Sequence, residues 1–478
     1  MKNYSSLNEI KADIAAGTVN CTDLVGHYLK NIEANKHLNA FIEVYAEEAK
    51  AKAIEVDAKI KAGTAGKLAG MVVGLKDVIC HKGHGLQASS KILNGFVSLF
   101  DATAVKKLIA EDAIIIGRQS CDEFAMGSSN EKSAFGVVKN FDDPTRVPGG
   151  SSGASAVAVQ ADLCMASLGS DTGGSVRQPA AFCGVIGFKP TYSRISRYGL
   201  IAYASSFDSI GVIAKSVADT ALVLEVIAGH DDNDSTVSFK EVPQYSALPA
   251  TDKKLNIAYL KESVESEGVN EEIKKATLAT IEKLKAEGHT LTPVAFPYLD
   301  YILPTYYVLT TAEASTNLSR YDGVRYGHRS ANTTDLESMY KKSKSEGFGA
   351  EVKKRIMLGT FVLSADYYDA YFTKAQKVRR LIKEKTDSLL NEFDFLIMPT
   401  TPTTAFKIGE FSDDALAMYL ADVFTVSANL AGIPGVSLPN GRDSQGLAIG
   451  LQVLSKAFGE QELLSFSDYL IKNKILNN

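Results

Sequence analysis

Residues 148–177 read PGGSSGASAVAVQADLCMASLGSDTGGSVR. Two Gly/Ser clusters, Gly149–Gly153 and Gly173–Ser175, flank a run of small apolar residues, Ala154–Ser167. Gln160 and Asp162 interrupt that run, so it is no membrane span. Acyl transfer needs an oxygen nucleophile and amide N–H donors aimed at the developing oxyanion. Glycines let a turn point its N–H groups inward without side-chain interference. Thr172-Gly173-Gly174-Ser175 offers both requirements in one turn, although either cluster alone is also an ordinary turn. The whole of 127–211 is rich in Gly and Ser yet punctuated by apolar segments, which suits an ordered active-site region better than a linker.

Upstream, Val72-Val73-Gly74-Leu75-Lys76-Asp77-Val78-Ile79 sets one lysine in a strand-like apolar run. Desolvation favours the neutral amine, which is a usable general base. A strand-edge lysine snorkelling to water is the other reading of the same pattern. No histidine occurs between His84 and His230, so a Ser-rich centre here must find a different local base. Gly149–Gly153 formally matches the G-x-S-x-G nucleophile elbow, but a polar, proline-broken loop precedes it where a strand is required. Gly83–Ala88 matches a lone G-x-G-x-x-A, a weak signal read as a loop. Cys80, His81 and His84 lack a second ligand pair at zinc-type spacing, so they read as a solvated loop and no metal is expected. There is no P-loop lysine motif.

Further outward, helix and strand patterns alternate. Residues 1–65 read as a helical N-terminal segment, with Ser6 and Glu9 as a capping box and a long Ala/Glu/Lys run from Asn39 to Lys61. Strands are expected at Met71–Ile79, Ala113–Ile116, Leu255–Leu260, Leu291–Phe296, Phe393–Met398 and Leu447–Leu454. Helices are expected at Thr103–Glu111, Glu271–Glu287, Lys353–Glu392 and Glu460–Lys472. This alternation implies an α/β fold with a mixed, mostly parallel sheet covered by helices on both faces. The chain is expected to form one domain over 1–478, with a Gly/Ser-rich core at 70–215 and the remainder of the fold at 250–478.

The 478 residues carry a net charge of −5, which supplies no broad basic field for a phosphate backbone. Any nucleic acid is expected to be held mainly by another chain. The five scattered cysteines read as reduced thiols, and the N-terminus has no apolar signal region. A cytoplasmic protein with no membrane contact is expected.

These motifs resemble the amidase signature family. Lys76 in Gly74–Asp77, Ser151 in Gly149–Gly153 and Ser175 in Asp171–Ser175 match its Ser-cisSer-Lys triad in identity and spacing. The match continues through Arg177–Gly184 and Phe188–Thr191. Ala154 and Val212 depart from the usual glycine and proline, but neither is a triad position. Cys121–Glu131, Ser196–Ala202, Met357–Thr360, Tyr367–Tyr371 and Met418–Asp422 are similar to the tRNA-dependent amidotransferase branch of that family.

The resemblance implies Ser175 as nucleophile, Ser151 as proton bridge behind a cis peptide, and Lys76 as base. It places the oxyanion donors at Thr172, Gly173, Gly174 and Ser175. It implies a glutamine pocket with Arg355 for the α-carboxylate, Asp422 for the α-ammonium, and Tyr306, Met126 and Ser128 in the lining. From spacing alone, Arg355 is a surface helix charge and Asp422 a helix-start residue. The resemblance further implies partner subunits B and C in a heterotrimer, with ammonia passed to the first of these. ATP, Mg²⁺ and misacylated tRNA are then held chiefly by the partner, with no cofactor in this chain. The product it implies is Gln-tRNA(Gln), with Asn-tRNA(Asn) a second candidate. A stand-alone amidase for a small aliphatic or aromatic amide is the alternative.

Overall fold

The apolar segments around Lys76 and Ser170 become neighbouring interior strands of one sheet. The structure is a computed structural model, described for residues 1–250, 253–412 and 414–477; Thr251, Asp252, Asp413 and Asn478, within the 250–478 segment, lie outside the described residues. Eleven strands are described: β1 Phe41–Val44, β2 Val72–Lys76, β3 Ile114–Gln119, β4 Ala166–Asp171, β5 Ile186–Lys189, β6 Ser209–Ala214, β7 Asn256–Leu260, β8 Thr290–Val294, β9 Phe395–Pro399, β10 Gly435–Arg442 and β11 Ala448–Leu454. They form a single sheet in the order β1-β3-β2-β4-β6-β5-β10-β11-β9-β7-β8.

Every residue of β2–β6, β9 and β11 is buried, which requires cover on both sheet faces. Edge strands β1 and β8 are partly exposed, and β8 tolerates Pro293 there. The mixed α/β sheet is as expected, but the mostly parallel sense is corrected. Only β2–β3, β2–β4, β7–β8 and β7–β9 pair parallel, while the other six described pairings are antiparallel. The reason lies in the connections. A parallel pair needs a long crossover, whereas β10 and β11 are joined by a short turn and β5 to β6 by a loop without a helix.

The N-terminal segment needs a second correction. Helices span Leu7–Ala15, Cys21–Ala34 and Ala46–Ala62, but Phe-Ile-Glu-Val at 41–44 is a strand on β3. The long helix therefore starts seven residues later than the Ala/Glu/Lys run suggests, and stops at Gly63 with φ 70°. Ser6 accepts from the Glu9 amide, but Glu9 reaches back to Ser5 rather than Ser6, so only half of a capping box forms. The 353–392 region is two helices, Ala350–Val362 and Lys374–Glu392. The closing helix spans Glu460–Lys472. No described helix is long and apolar enough to cross a membrane.

The parallel β2–β4 pair places the C-terminal ends of both strands together, with Leu75 opposite Leu168. Lys76 and Ser170–Asp171 therefore emerge side by side. The helix Gly153–Gln160 (GASAVAVQ) packs over β2, β4 and β6, and all its residues except Gln160 are buried. Its small side chains let it lie close to the sheet and bring Ser151 and Ser152 above Lys76.

Candidate active site

Lys76 is completely buried, and its Nζ donates to Ser151 Oγ at 2.6 Å, Ser152 Oγ at 2.8 Å and Ser170 Oγ at 2.9 Å. Among the described residues no carboxylate bonds to it directly. Burial lowers its pKa from the ordinary 10.5 to about 8, against a weaker upward pull from Cys121, Asp122, Asp171 and Asp208. The snorkelling reading is therefore excluded by position. The sequence singles out Ser151 but not Ser152 or Ser170. A signal for both exists, since Ser152 adjoins Ser151 and Ser170 lies in the quoted 148–177 stretch.

The Gly150–Ser151 peptide is cis. Close packing fixes this turn, because a Cβ on Gly150 would strike Asp122 Oδ2. The Gly150 amide donates to Gln178 Oε1 at 2.8 Å, and Gln178 Nε2 donates to the Ser128 carbonyl at 2.9 Å. Gln178, which sequence reasoning misses, thus ties the Ser151 turn to the loop carrying Ser128. The Ser152 amide donates to the Ser175 carbonyl at 3.1 Å, joining the two serine turns. Of Lys76, Ser151 and Ser175, only Ser175 is partly exposed, as a residue meeting substrate must be.

The Thr172–Ser175 turn is held from behind by Asp171. Arg177 grips this carboxylate with Nε at 3.0 Å and Nη2 at 2.9 Å, and both residues have no exposed surface. The guanidinium is completed by the Thr425 carbonyl, Gln452 and Asn429. Burial alone would raise the Asp171 pKa, but Arg177, Lys189 and Asn429 outweigh it and hold it down to about 2. The ionised carboxylate accepts from the amides of Gly174 at 2.9 Å and Val176 at 3.2 Å. The Gly174 N–H is therefore already engaged, unlike the expectation for an oxyanion donor. Among the described hydrogen bonds, the amides of Thr172, Gly173 and Ser175 carry no acceptor. Gly174 has φ 138°, and a Cβ there would collide with Thr425 Oγ1, so only glycine fits.

Tyr306 lies against this turn, 2.7 Å from where a Gly173 Cβ would be. Arg355 is buried, not a surface charge: its guanidinium sits by the Tyr203 and Tyr307 rings, 5.6 and 5.5 Å from their centroids. Nη1 donates to Tyr203 Oη at 3.0 Å and Nε to Glu351 at 2.8 Å, while Nη2 has no partner among the described residues. Gly359 lets this helix approach Leu299–Leu318, since a Cβ would strike the Thr311 carbonyl. Asp422 is also buried and accepts from Ser128 Oγ. Burial raises its pKa to about 7, against Ser128 and the positive field of Arg355 and Arg177. Met126 is fully buried on the same loop as Ser128. Tyr203, which braces Arg355, carries no signal in the sequence.

A buried lysine bonded to a serine behind a cis peptide, beside a glycine turn carrying a second serine, defines an amidase-type centre. A family model described as Amidase matches residues 23–464, and the chain belongs to this family. Among its relatives, the A subunit of the glutamyl-tRNA(Gln) amidotransferase of Chlorobaculum parvum is 50% identical over 469 residues, covering 97% of each chain. The crystal structure of the corresponding A subunit from Thermotoga maritima is 38% identical, covers 96% of this chain and 94% of that one, and superposes with a TM-score of 0.78. The peptide amidase of Stenotrophomonas maltophilia is 27% identical, with coverage of 98% and 96% and a TM-score of 0.82.

Proposed function

We propose that this chain is the glutamine-hydrolysing amidase subunit of a glutamyl-tRNA(Gln) amidotransferase. The observation that carries this reading is the buried pair of opposite charges Arg355 and Asp422, both within electrostatic reach of Tyr306, which lies against the Thr172–Ser175 turn. A free amino acid needs both, a guanidinium for its carboxylate and a carboxylate for its ammonium. A small uncharged amide needs neither, which disfavours the stand-alone amidase.

In this reading Ser175 Oγ attacks the side-chain carboxamide carbon of glutamine. Its proton passes to Ser151 Oγ as Ser151 gives its own to neutral Lys76 Nζ. The amides of Thr172, Gly173 and Ser175 stabilise the oxyanion. The proton then returns through Ser151 to the leaving nitrogen, ammonia departs, and water hydrolyses the γ-glutamyl ester by the same relay. Ser152 and Ser170 orient the Lys76 amine towards Ser151. Residues 1–478 act as one amidase-signature unit, joined by subunits B and C. ATP, Mg²⁺ and the misacylated tRNA belong chiefly to the partner, with Glu-tRNA(Gln) the first substrate and Asp-tRNA(Asn) a second candidate.

The test measures glutaminase and tRNA-dependent transamidation for the chain alone and with its B and C partners. Transamidation is expected only in the complex. Robust turnover of unrelated amides by the lone chain, with no effect of partners, would sink the reading.

The pH profile provides a second check. Lys76 acts only when neutral, so kcat is expected to fall on the acid side with a midpoint near about 8. Asp422 pairs with the substrate ammonium only when ionised, so KM is expected to rise as pH falls through about 7. Steady-state kinetics from about pH 6 to 9 separates the two limbs, and a flat KM in that range would remove Asp422 from the ammonium site.

A further inference from the structure

The two histidines of the loop Cys80–His84 are neither solvated nor isolated. We infer that Glu48, His81 and His84 form a binding site for one divalent transition-metal ion of the zinc class. The ligand that sequence spacing could not reveal comes from the helix Ala46–Ala62, whose first turn carries Glu48. His84 Nε2 lies 2.9 Å from Glu48 Oε2, and donor atoms of all three residues lie within 4.8 Å of one another. Bonds of about 2.1 Å to one ion hold their donors roughly 3–3.5 Å apart, so modest side-chain rotation closes the set.

His81 is prepared for such a role by its other nitrogen. Nδ1 meets Asp101 Oδ1 at 2.8 Å, which leaves Nε2 to face an ion. A carboxylate on the far nitrogen is the usual outer partner of a metal-bound histidine. Asp101 is itself fixed by the Lys82 amide at 2.8 Å. The backbone around the histidines is tied down too, with Gly83 N donating to the Ser98 carbonyl and Ser98 N to the His84 carbonyl. Tyr45 walls one side, its ring centroid 3.9 Å from that of His84. The imidazoles are mostly buried, whereas the Glu48 side chain is 66% exposed, so the fourth position opens to water. The two rings stack with centroids 4.4 Å apart and planes at 15°, and small shifts of the His84 and Glu48 side chains close the set with the His81–Asp101 bond kept.

Two imidazoles with one carboxylate select borderline ions such as Zn²⁺, Co²⁺ and Ni²⁺ over the hard Mg²⁺ and Ca²⁺. Cys80 is buried, and its thiol is not among the donor atoms that lie within 4.8 Å of one another. An ion here would clamp the N-terminal helix to a loop whose continuation, at Gln87 and Ser89, binds Asp77 beside Lys76.

The experiment titrates the chelator-stripped full chain with Zn²⁺ alone by calorimetry and records melting temperature. One ion per chain is expected, with an upward shift in melting. Glu48→Gln, His81→Gln and His84→Gln should each weaken binding by at least about 10-fold, and Asp101→Asn by about 10–100-fold. Co²⁺ should give visible ligand-field bands without thiolate charge transfer. Glu48 is exposed, so its variant reports on binding without disturbing the core. No Zn²⁺ binding at micromolar concentration, unchanged affinity in Glu48→Gln and both histidine variants, or a thiolate band with Co²⁺ would each overturn the site.

Discussion

Ser175→Ala is expected to abolish glutamine hydrolysis, with kcat lowered by about 10⁶-fold, the scale on which a serine hydrolase loses its nucleophile. Only Ser175 among Lys76, Ser151 and Ser175 is partly exposed, and no other hydroxyl stands on the turn that carries the unengaged amides of Thr172, Gly173 and Ser175 apart from the Thr172 side chain. That hydroxyl is already donated to Asp208 at 2.7 Å, so it cannot substitute. Because the change removes one oxygen without touching the Asp171–Arg177 anchor, the assembled complex should still amidate tRNA from free ammonium. The paired measurement is glutamine-dependent against ammonium-dependent transamidation. Loss of both would mean that Ser175 is structural, and retention of glutaminase would mean that another residue is the nucleophile.

Replacing Arg177 with methionine is expected to be the most damaging substitution for stability, at about 3–5 kcal/mol, because it leaves the Asp171 carboxylate buried and unpaired. Lost with it are the links to Thr425, Gln452 and Asn429, which join the turn to the C-terminal part of the chain. Urea unfolding monitors the loss, and the double variant with Asp171→Asn should recover part of it, since the stranded charge is then gone. The pH dependence carries the opposite sign to that of a lysine. The Asp171 pKa sits at about 2 against an ordinary 3.8, so its stabilisation is complete above about pH 4 and is lost as pH falls towards 2. The methionine variant should lack this acid limb. A loss below about 1 kcal/mol would show that the turn is held by other contacts.

Much of the site is legible in the sequence because its chemistry is local. Thr172-Gly173-Gly174-Ser175 needs no distant partner to be read as a turn with inward amides, and Lys76 stands out as one charge in an apolar strand. The strands at 72–76, 256–260 and 448–454 are likewise visible as short apolar runs bounded by turn residues. What escapes depends on segments far apart in the chain. Gln178 bridges Gly150 and Ser128, Tyr203 meets Arg355 across 152 residues, and Glu48 meets His84 from a different element. The strand Phe41–Val44 is hidden because the Ala/Glu/Lys-rich residues after it dominate the composition of the run.

By itself the sequence marked the candidate groups, Lys76, Ser151 and Ser175 in a Gly/Ser-rich α/β fold, since residue type and local context set them apart, while their roles as base, bridge and nucleophile are what the resemblance to the amidase signature family implies. Only the tertiary structure decided that β4 runs parallel to β2 yet antiparallel to β6, and that Lys76 therefore meets Ser151, Ser152 and Ser170 at once. It also decided that the Gly174 amide serves Asp171 and that Arg355 is buried rather than solvated. The physical reason is the same in each case. Pairing sense and burial are set by the free energy of the whole sheet and its covering helices, which no single segment encodes.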